Sequence, residues 1–279
     1  MRFRPLPTLF PGSHSFEVGG IAQRYHVHGS GPVCVAHPGG PGINWAYLRT
    51  PALEEHLTMV YVEPIGTGAS GRLPSHPHGY TRERYSRFLE LLINNLGVCR
   101  VHLLGHAHGA LIAAHHAVHR PERLAGVVLY EGAPATGHGY ADGTGHESEQ
   151  AVAGRTAGPV LAASEAVPCV SSLDEDLTPD TIDDRASLRG LTVPAMVILG
   201  RNDVSSGSEW GREVAEVIPG ARLLVLKDGG HSAHVDETAS FTRAIRDFVQ
   251  DVPAVRTAGR TVVATGRSAH SPTARRARG

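Results

Sequence analysis

The chain is sparing in the residues that mark several protein classes. It has three cysteines in 279 residues, Cys34, Cys99 and Cys169, odd in number, far apart and with no C-x-x-C pair. That argues against a disulfide framework or a thiolate zinc site, and leaves buried free thiols as the expectation for Cys34 and Cys99. The formal net charge is only −1, so nothing global favours nucleic acid or a membrane surface as partner. No apolar run approaches the roughly 18 residues a membrane helix needs. The first fifteen residues are broken by Pro5, Pro7 and Pro11 and lack the apolar centre of a signal peptide, so a cytoplasmic chain is expected. No H-E-x-x-H is present. His115 and His119 share a predicted helix face, but surface or half-buried histidines are the expectation there, and no metal.

The most telling deficit is a single hydroxyl. Gly105-His106-Ala107-His108-Gly109 has the frame G-x-S-x-G with alanine at its centre. An apolar strand, Val101 to Leu104, leads in, and a small-residue helix, Ala110 to Val118, leads out, which is the strand–turn–helix setting of a nucleophile elbow.

Around that frame, strands and helices alternate. Strands are predicted at Phe16 to Val18, Arg24 to His28, Val33 to Ala36, Thr58 to Val62, Leu124 to Tyr130, Val193 to Leu199 and Arg222 to Leu226. Helices are predicted at Thr81 to Asn95, with Tyr85, Phe88, Leu91 and Leu92 on one face, at Glu209 to Val217 and at Ala239 to Val249. Such alternation implies an α/β fold with a mostly parallel sheet and helices on both faces. The pattern fails across 135–190, which has no Phe, Trp or Met and is rich in Gly, Ala, Ser and acidic residues. That stretch reads as a short lid inserted between two parts of the core, 1–134 and 191–251, with a mobile loop as the alternative. Residues 252–279, with six arginines and no acidic side chain, read as a disordered basic tail.

Three further pieces fit one mechanism with the elbow. His37-Pro38-Gly39-Gly40-Pro41-Gly42 follows a strand, and its glycines let backbone N–H groups approach a ligand closely. In acyl transfer such groups form an oxyanion hole together with the N–H after the nucleophile. Gly40 is the first candidate donor, Gly39 the next, and His108 supplies the second. Asp203 ends a strand and can orient an imidazole. His231 precedes the last helix and is the candidate base. Ser70 sits in a loop motif and Ser232 follows the base in sequence, so neither reads as a substitute for the missing serine.

The order elbow, Asp203, His231 is that of the α/β-hydrolase fold. Together with Gly39-Gly40-Pro41-Gly42 and the run Glu63-Pro64-Ile65-Gly66-Thr67-Gly68-Ala69-Ser70, it makes the chain resemble the α/β-hydrolase superfamily, and more closely its proline iminopeptidase-like branch. The resemblance spans about Phe16 to Val249 apart from the middle insertion. It implies cleavage of an N-terminal residue, or of a small amide or ester, with position 107 as nucleophile, His231 as general base and Asp203 as its orienter. It implies a small-molecule or short-peptide substrate and no cofactor.

Two departures qualify that implication. Ala107 has no oxygen to attack with, and the insertion is shorter and poorer in aromatics than the helical lid of that branch. Glu131 is a candidate amine-binding carboxylate, the alternative being an exposed or salt-bridged glutamate. His106 is a candidate pocket residue that bears on the basicity of His231. Three readings follow: a serine hydrolase with its nucleophile replaced, a non-catalytic relative that binds a ligand or partner, or a His231–Asp203 base dyad working without a covalent step, as in a lyase, cyclase or cofactor-free oxygenase.

Overall fold

The computed structural model describes residues 6–39, 43–135, 183–203 and 208–252. Most of the expected insertion, the tail beyond Val252, and Gly40 to Gly42 lie outside these. Eight strands form one sheet: β1 (Gly12–Val18), β2 (Ile21–Gly29), β3 (Val33–His37), β4 (Thr58–Glu63), β5 (Val101–His106), β6 (Leu124–Tyr130), β7 (Ala195–Gly200) and β8 (Arg222–Leu226). Their order is β1-β2-β4-β3-β5-β6-β7-β8. β1 pairs antiparallel with β2 and β2 antiparallel with β4, and every later pairing is parallel.

The helices are α1 (Pro51–Glu54), α2 (Arg82–Asn95), α3 (His108–His119), α4 (Arg185–Leu188), α5 (Ser208–Val217), α6 (Ala233–Asp236) and α7 (Thr238–Asp251). Side chains on a strand alternate between the two faces of the sheet, and the central strands are apolar on both. Leu103, Val127, Leu129, Val197 and Leu199 face one core with α2, α3 and α5. Leu104, Val128, Tyr130, Met196 and Ile198 face the other, with Leu53 of α1 and Phe241, Ile245 and Phe248 of α7. A sheet buried on both sides requires this run of hydrophobic residues without polar alternation.

Local chemistry fixes the helices. Thr81 caps α2, its side chain accepting the Arg84 N–H at 3.2 Å. Leu91 is only half-buried, and the sequestered face of α2 uses Leu89 and Ile93 beside Tyr85, Phe88 and Leu92. The buried stripe differs from the predicted one because Leu91 lies at its edge. Ala110, Ala113, Ala114 and Ala117 bring α3 close to the sheet. Of the cysteines, Cys34 is buried, whereas Cys99, in the link before β5, is exposed, contrary to expectation.

Two connections bear on the site. Ala135, just past β6, bridges Asp183, which ties the residues before α4 to the end of β6. Arg82 at the start of α2 forms an ion pair with Asp184 there. The run Glu63 to Ser70 is scaffolding: Glu63 Oε1 accepts the Ala69 N–H at 2.5 Å, Glu63 Oε2 lies 3.0 Å from His26 Nε2, and the Ser70 hydroxyl donates to the Glu63 carbonyl. Among the described residues, no helix is long and apolar enough to cross a membrane.

Candidate active site

Parallel strands end together, and ligand sites of open α/β sheets lie beyond those carboxyl ends. Five loops converge there, after β3, β5, β6, β7 and β8. The turn after β5 is the sharpest. Ala107 has φ 50° and ψ −118°, a left-handed conformation that costs any L-residue with a β-carbon. Its N–H donates to the Tyr130 carbonyl at 2.9 Å, tying the turn to β6. The flanking glycines are required by close approach. A β-carbon on Gly105 would stand 2.1 Å from the Gly109 carbonyl oxygen, and one on Gly109 would stand 2.4 Å from that of His37.

The β7 and β8 loops are zipped together. Arg201 N–H donates to the Leu226 carbonyl at 2.8 Å and Asn202 N–H to that of Gly229 at 3.0 Å. This brings Asp203 to His231, with Oδ2 3.0 Å from Nδ1 and both residues buried. A carboxylate only accepts, so Nδ1 carries the proton and Nε2 is left as the basic nitrogen. His231 and Ala107 share a recess with Gly39, Ile43, Tyr47, His106 and Ser232.

Gly39 abuts the elbow: a β-carbon there would lie 2.9 Å from that of Ala107. Its N–H donates to the Tyr47 hydroxyl at 2.7 Å. Gly40, the first candidate donor, lies outside the described residues. His108 opens α3, where the helix offers its N–H no intrahelical acceptor. Its ring meets Tyr85 edge-on at 5.6 Å. Burial, helped by His37 and Arg82, pushes that imidazole down to about 3 and keeps it neutral.

His106 lies inside the site. Its Nε2 is 2.9 Å from the His231 carbonyl, which can only accept, so Nε2 carries the proton. Burial drives its pKa well below the ordinary value, and the neighbouring His231 and His234 add to this, so the ring is neutral and Nδ1 accepts. Tyr47 is the donor to that Nδ1 at 2.6 Å. One chain of bonds therefore runs from Gly39 N–H through Tyr47 and His106 to the His231 backbone, joining the β3, β5 and β8 loops. His234 extends it, with Nε2 2.9 Å from the Tyr47 carbonyl and Nδ1 3.0 Å from the Tyr130 hydroxyl.

Glu131 is not set to bind a substrate amine. It is 4% exposed, does not line the recess, and its Oε1 accepts the Gly200 N–H at 2.5 Å. Its carboxyl is hydrogen-bonded to Asp203, and burial, with the Asp203 charge second, pushes its pKa up to about 11. It is neither exposed nor salt-bridged, and a neutral buried acid has no sequence signature. Tyr47 and Ser232 also belong to the recess without having stood out in the sequence. Tyr47 sits in a short helical turn, Trp45–Leu48, without a motif, and the buried Ser232 Oγ has no hydrogen-bond partner among the described residues.

Comparison with known proteins agrees with this architecture. A family model described as the alpha/beta hydrolase fold matches residues 32–168, and one described as TAP-like protein matches residues 156–258. The chain is an α/β-hydrolase-fold protein. A curated relative of this α/β-hydrolase-fold chain, "Putative carbamate hydrolase RutD" of Pseudomonas syringae pv. syringae, is 28% identical over 253 residues, covering 81% of this chain and 96% of the relative. Two solved structures share the fold. A hydrolase from Pseudomonas aeruginosa PA01 superposes with a TM-score of 0.69 at 24% identity, covering 85% of this chain and 98% of that one. A serine-to-alanine mutant of the meta-cleavage product hydrolase CumD from Pseudomonas fluorescens IP01, complexed with acetates, gives a TM-score of 0.70 at 20% identity, covering 86% and 98%.

Proposed function

We propose that this chain is a small-molecule hydrolase that works without a covalent intermediate, on carbonyl or carbamate substrates. Nε2 of His231 takes a proton from water as the water oxygen bonds to the carbonyl carbon. The His108 N–H stabilises the negative oxygen that develops, with the Gly40 N–H as the second donor expected from the sequence. The imidazolium then returns the proton to the departing amine or alkoxide, while Asp203 holds the ring in one tautomer.

The observation that carries this reading is the buried His231–Asp203 bond of 3.0 Å in a recess whose elbow presents a methyl group. Loss of the nucleophile alone costs a serine triad on the order of a millionfold in kcat, about 8 kcal/mol. The remaining machinery of such a site is worth roughly a thousandfold or more over water. That suffices only for substrates with low intrinsic barriers. The relative's name points to carbamates as a class to test. Peptidase specificity has no support in Glu131, whose carboxyl is committed to Gly200 and Asp203.

The test compares the chain with its His231→Ala and Ala107→Ser variants on nitrophenyl acetate and on a nitrophenyl carbamate. Slow turnover above buffer is expected, lost in His231→Ala, with ester turnover raised by several orders of magnitude in Ala107→Ser. Equal rates for the chain and His231→Ala refute the proposal. A second reading, a non-catalytic binder, is favoured by the Gly39 N–H being taken up by Tyr47. Binding of small carbonyl compounds in the recess, with no turnover by either the chain or its serine form, selects it.

A further inference from the structure

We propose that Glu131 is a positioning residue for the base: a neutral carboxyl that donates a hydrogen bond to Asp203, fixing that carboxylate toward His231 and tempering its pull on the imidazole. Three observations converge. Glu131 follows the last residue of β6 with φ 51°, a conformation that is strained for a side chain of this kind. Its backbone N–H is anchored to the Ile198 carbonyl at 3.0 Å, so the strained residue faces the end of β7. From there its carboxyl accepts the Gly200 N–H at 2.5 Å, the carbonyl of the same Gly200 accepts the Asp203 N–H at 3.3 Å, and the Glu131 carboxyl so placed meets the Asp203 side chain.

Two carboxyl groups that bond to each other need a proton between them. Asp203 already accepts the His231 Nδ1 proton. The shared proton therefore belongs to Glu131, whose Oε1 accepts from Gly200 while the protonated oxygen donates to Asp203. Burial raises the Glu131 carboxyl far above the usual range, in the same direction. The titratable groups around Glu131, Asp203 and His231 are Tyr130, His106 and His234, with Asp236 bonded to the neighbouring Gly230 N–H. Burial holds both histidines below their ordinary range and the Tyr130 hydroxyl well above its own. None of these four therefore supplies the positive charge a second buried carboxylate would need.

A donor on Asp203 draws on the lone pairs that would otherwise hold the Nδ1 proton. Removing it strengthens Asp203 as acceptor and favours the imidazolium. Glu131→Gln keeps both bonds, an amide oxygen for Gly200 and an N–H for Asp203. Glu131→Met keeps the volume and loses both.

The proposal rests on the His231–Asp203 base assigned above, but its readouts are not turnover, so either can fail alone. NMR titration of the His231 ring should give the same midpoint in the chain and in Glu131→Gln. In Glu131→Met the midpoint should rise by about one unit, a tenfold shift in protonation. A purely structural role moves stability without moving that midpoint. An unmoved midpoint in Glu131→Met, or an equal shift in Glu131→Gln, overturns the proposal. Infrared difference spectra between the chain and Glu131→Gln at neutral pH give a second test that needs no methionine variant. A protonated-carboxyl stretch present in the chain and lost in Glu131→Gln supports the assignment, and its absence from the chain refutes it.

Discussion

Ala107→Gly is expected to leave stability almost unchanged, where a buried alanine-to-glycine change ordinarily costs about 2 kcal/mol. The cause is the backbone of the elbow, with φ 50° and ψ −118°. Holding a residue with a β-carbon in so sparsely populated a conformation costs about 1–3 kcal/mol, and glycine removes that cost. Against it stand about 0.8 kcal/mol for the lost buried methyl and about 0.5–1 kcal/mol for the freer unfolded chain. These terms nearly cancel. Ala113, 0% exposed in the middle of α3, provides the control. There the methyl and helix-propensity losses add with nothing to offset them, and Ala113→Gly should cost about 2 kcal/mol. The difference between the two variants is the stored strain itself. Urea denaturation of both, at matched m-values, measures it, and thermal scans should separate them by roughly 4 °C. Equal destabilisation of the two variants would refute the claim that the elbow is strained.

Other outcomes follow from the same packing. Gly109→Ala reverses the usual helix preference, because its new methyl would stand 2.4 Å from the His37 carbonyl and 2.5 Å from that of Pro38; a variant as stable as the parent in urea contradicts this crowding. Burial pushes His37, His102 and His116 down to about 4 and His108 to about 3. Unfolded, they titrate near 6.5 and bind protons that the folded form refuses, so their contribution is present above pH 6.5 and is lost as pH falls toward 4. Each adds a slope of up to about 1.4 kcal/mol per pH unit. The urea midpoint should therefore drop steadily from about pH 7 to about pH 5, and a flat profile contradicts the assignment. Cys34 is buried, its thiol pushed up to about 12, whereas Cys99 is exposed. Peptide mapping after alkylation should show Cys99 labelled in the folded protein and Cys34 only after unfolding, and early labelling of Cys34 counts against the core described here.

Much of the architecture was legible because its causes are local. Apolar runs such as Leu124 to Tyr130 announce strands buried on both faces, and the elbow glycines are spelled out because a single extra carbon there meets backbone. The chain order of Ala107, Asp203 and His231 could likewise be read without coordinates. What escaped depends on contacts far apart in sequence. Tyr47 matters only because His106, 59 positions later, comes within 2.6 Å of it. Glu131 is held neutral first by burial and then by Asp203, which β7 brings alongside, and nothing in the residues around position 131 encodes that neighbour. Leu91 departs from expectation for a different reason: it borders the apolar stripe of α2, and packing decides which of the neighbouring leucines turns inward.

The bridge between Ala135 and Asp183 has an evolutionary corollary. A segment whose two ends are already clasped can be lengthened, trimmed or exchanged at a cost that grows only as the logarithm of its length. Ala135 and Asp183 thus mark a point at which the length of the chain between them can change at little cost to the sheet.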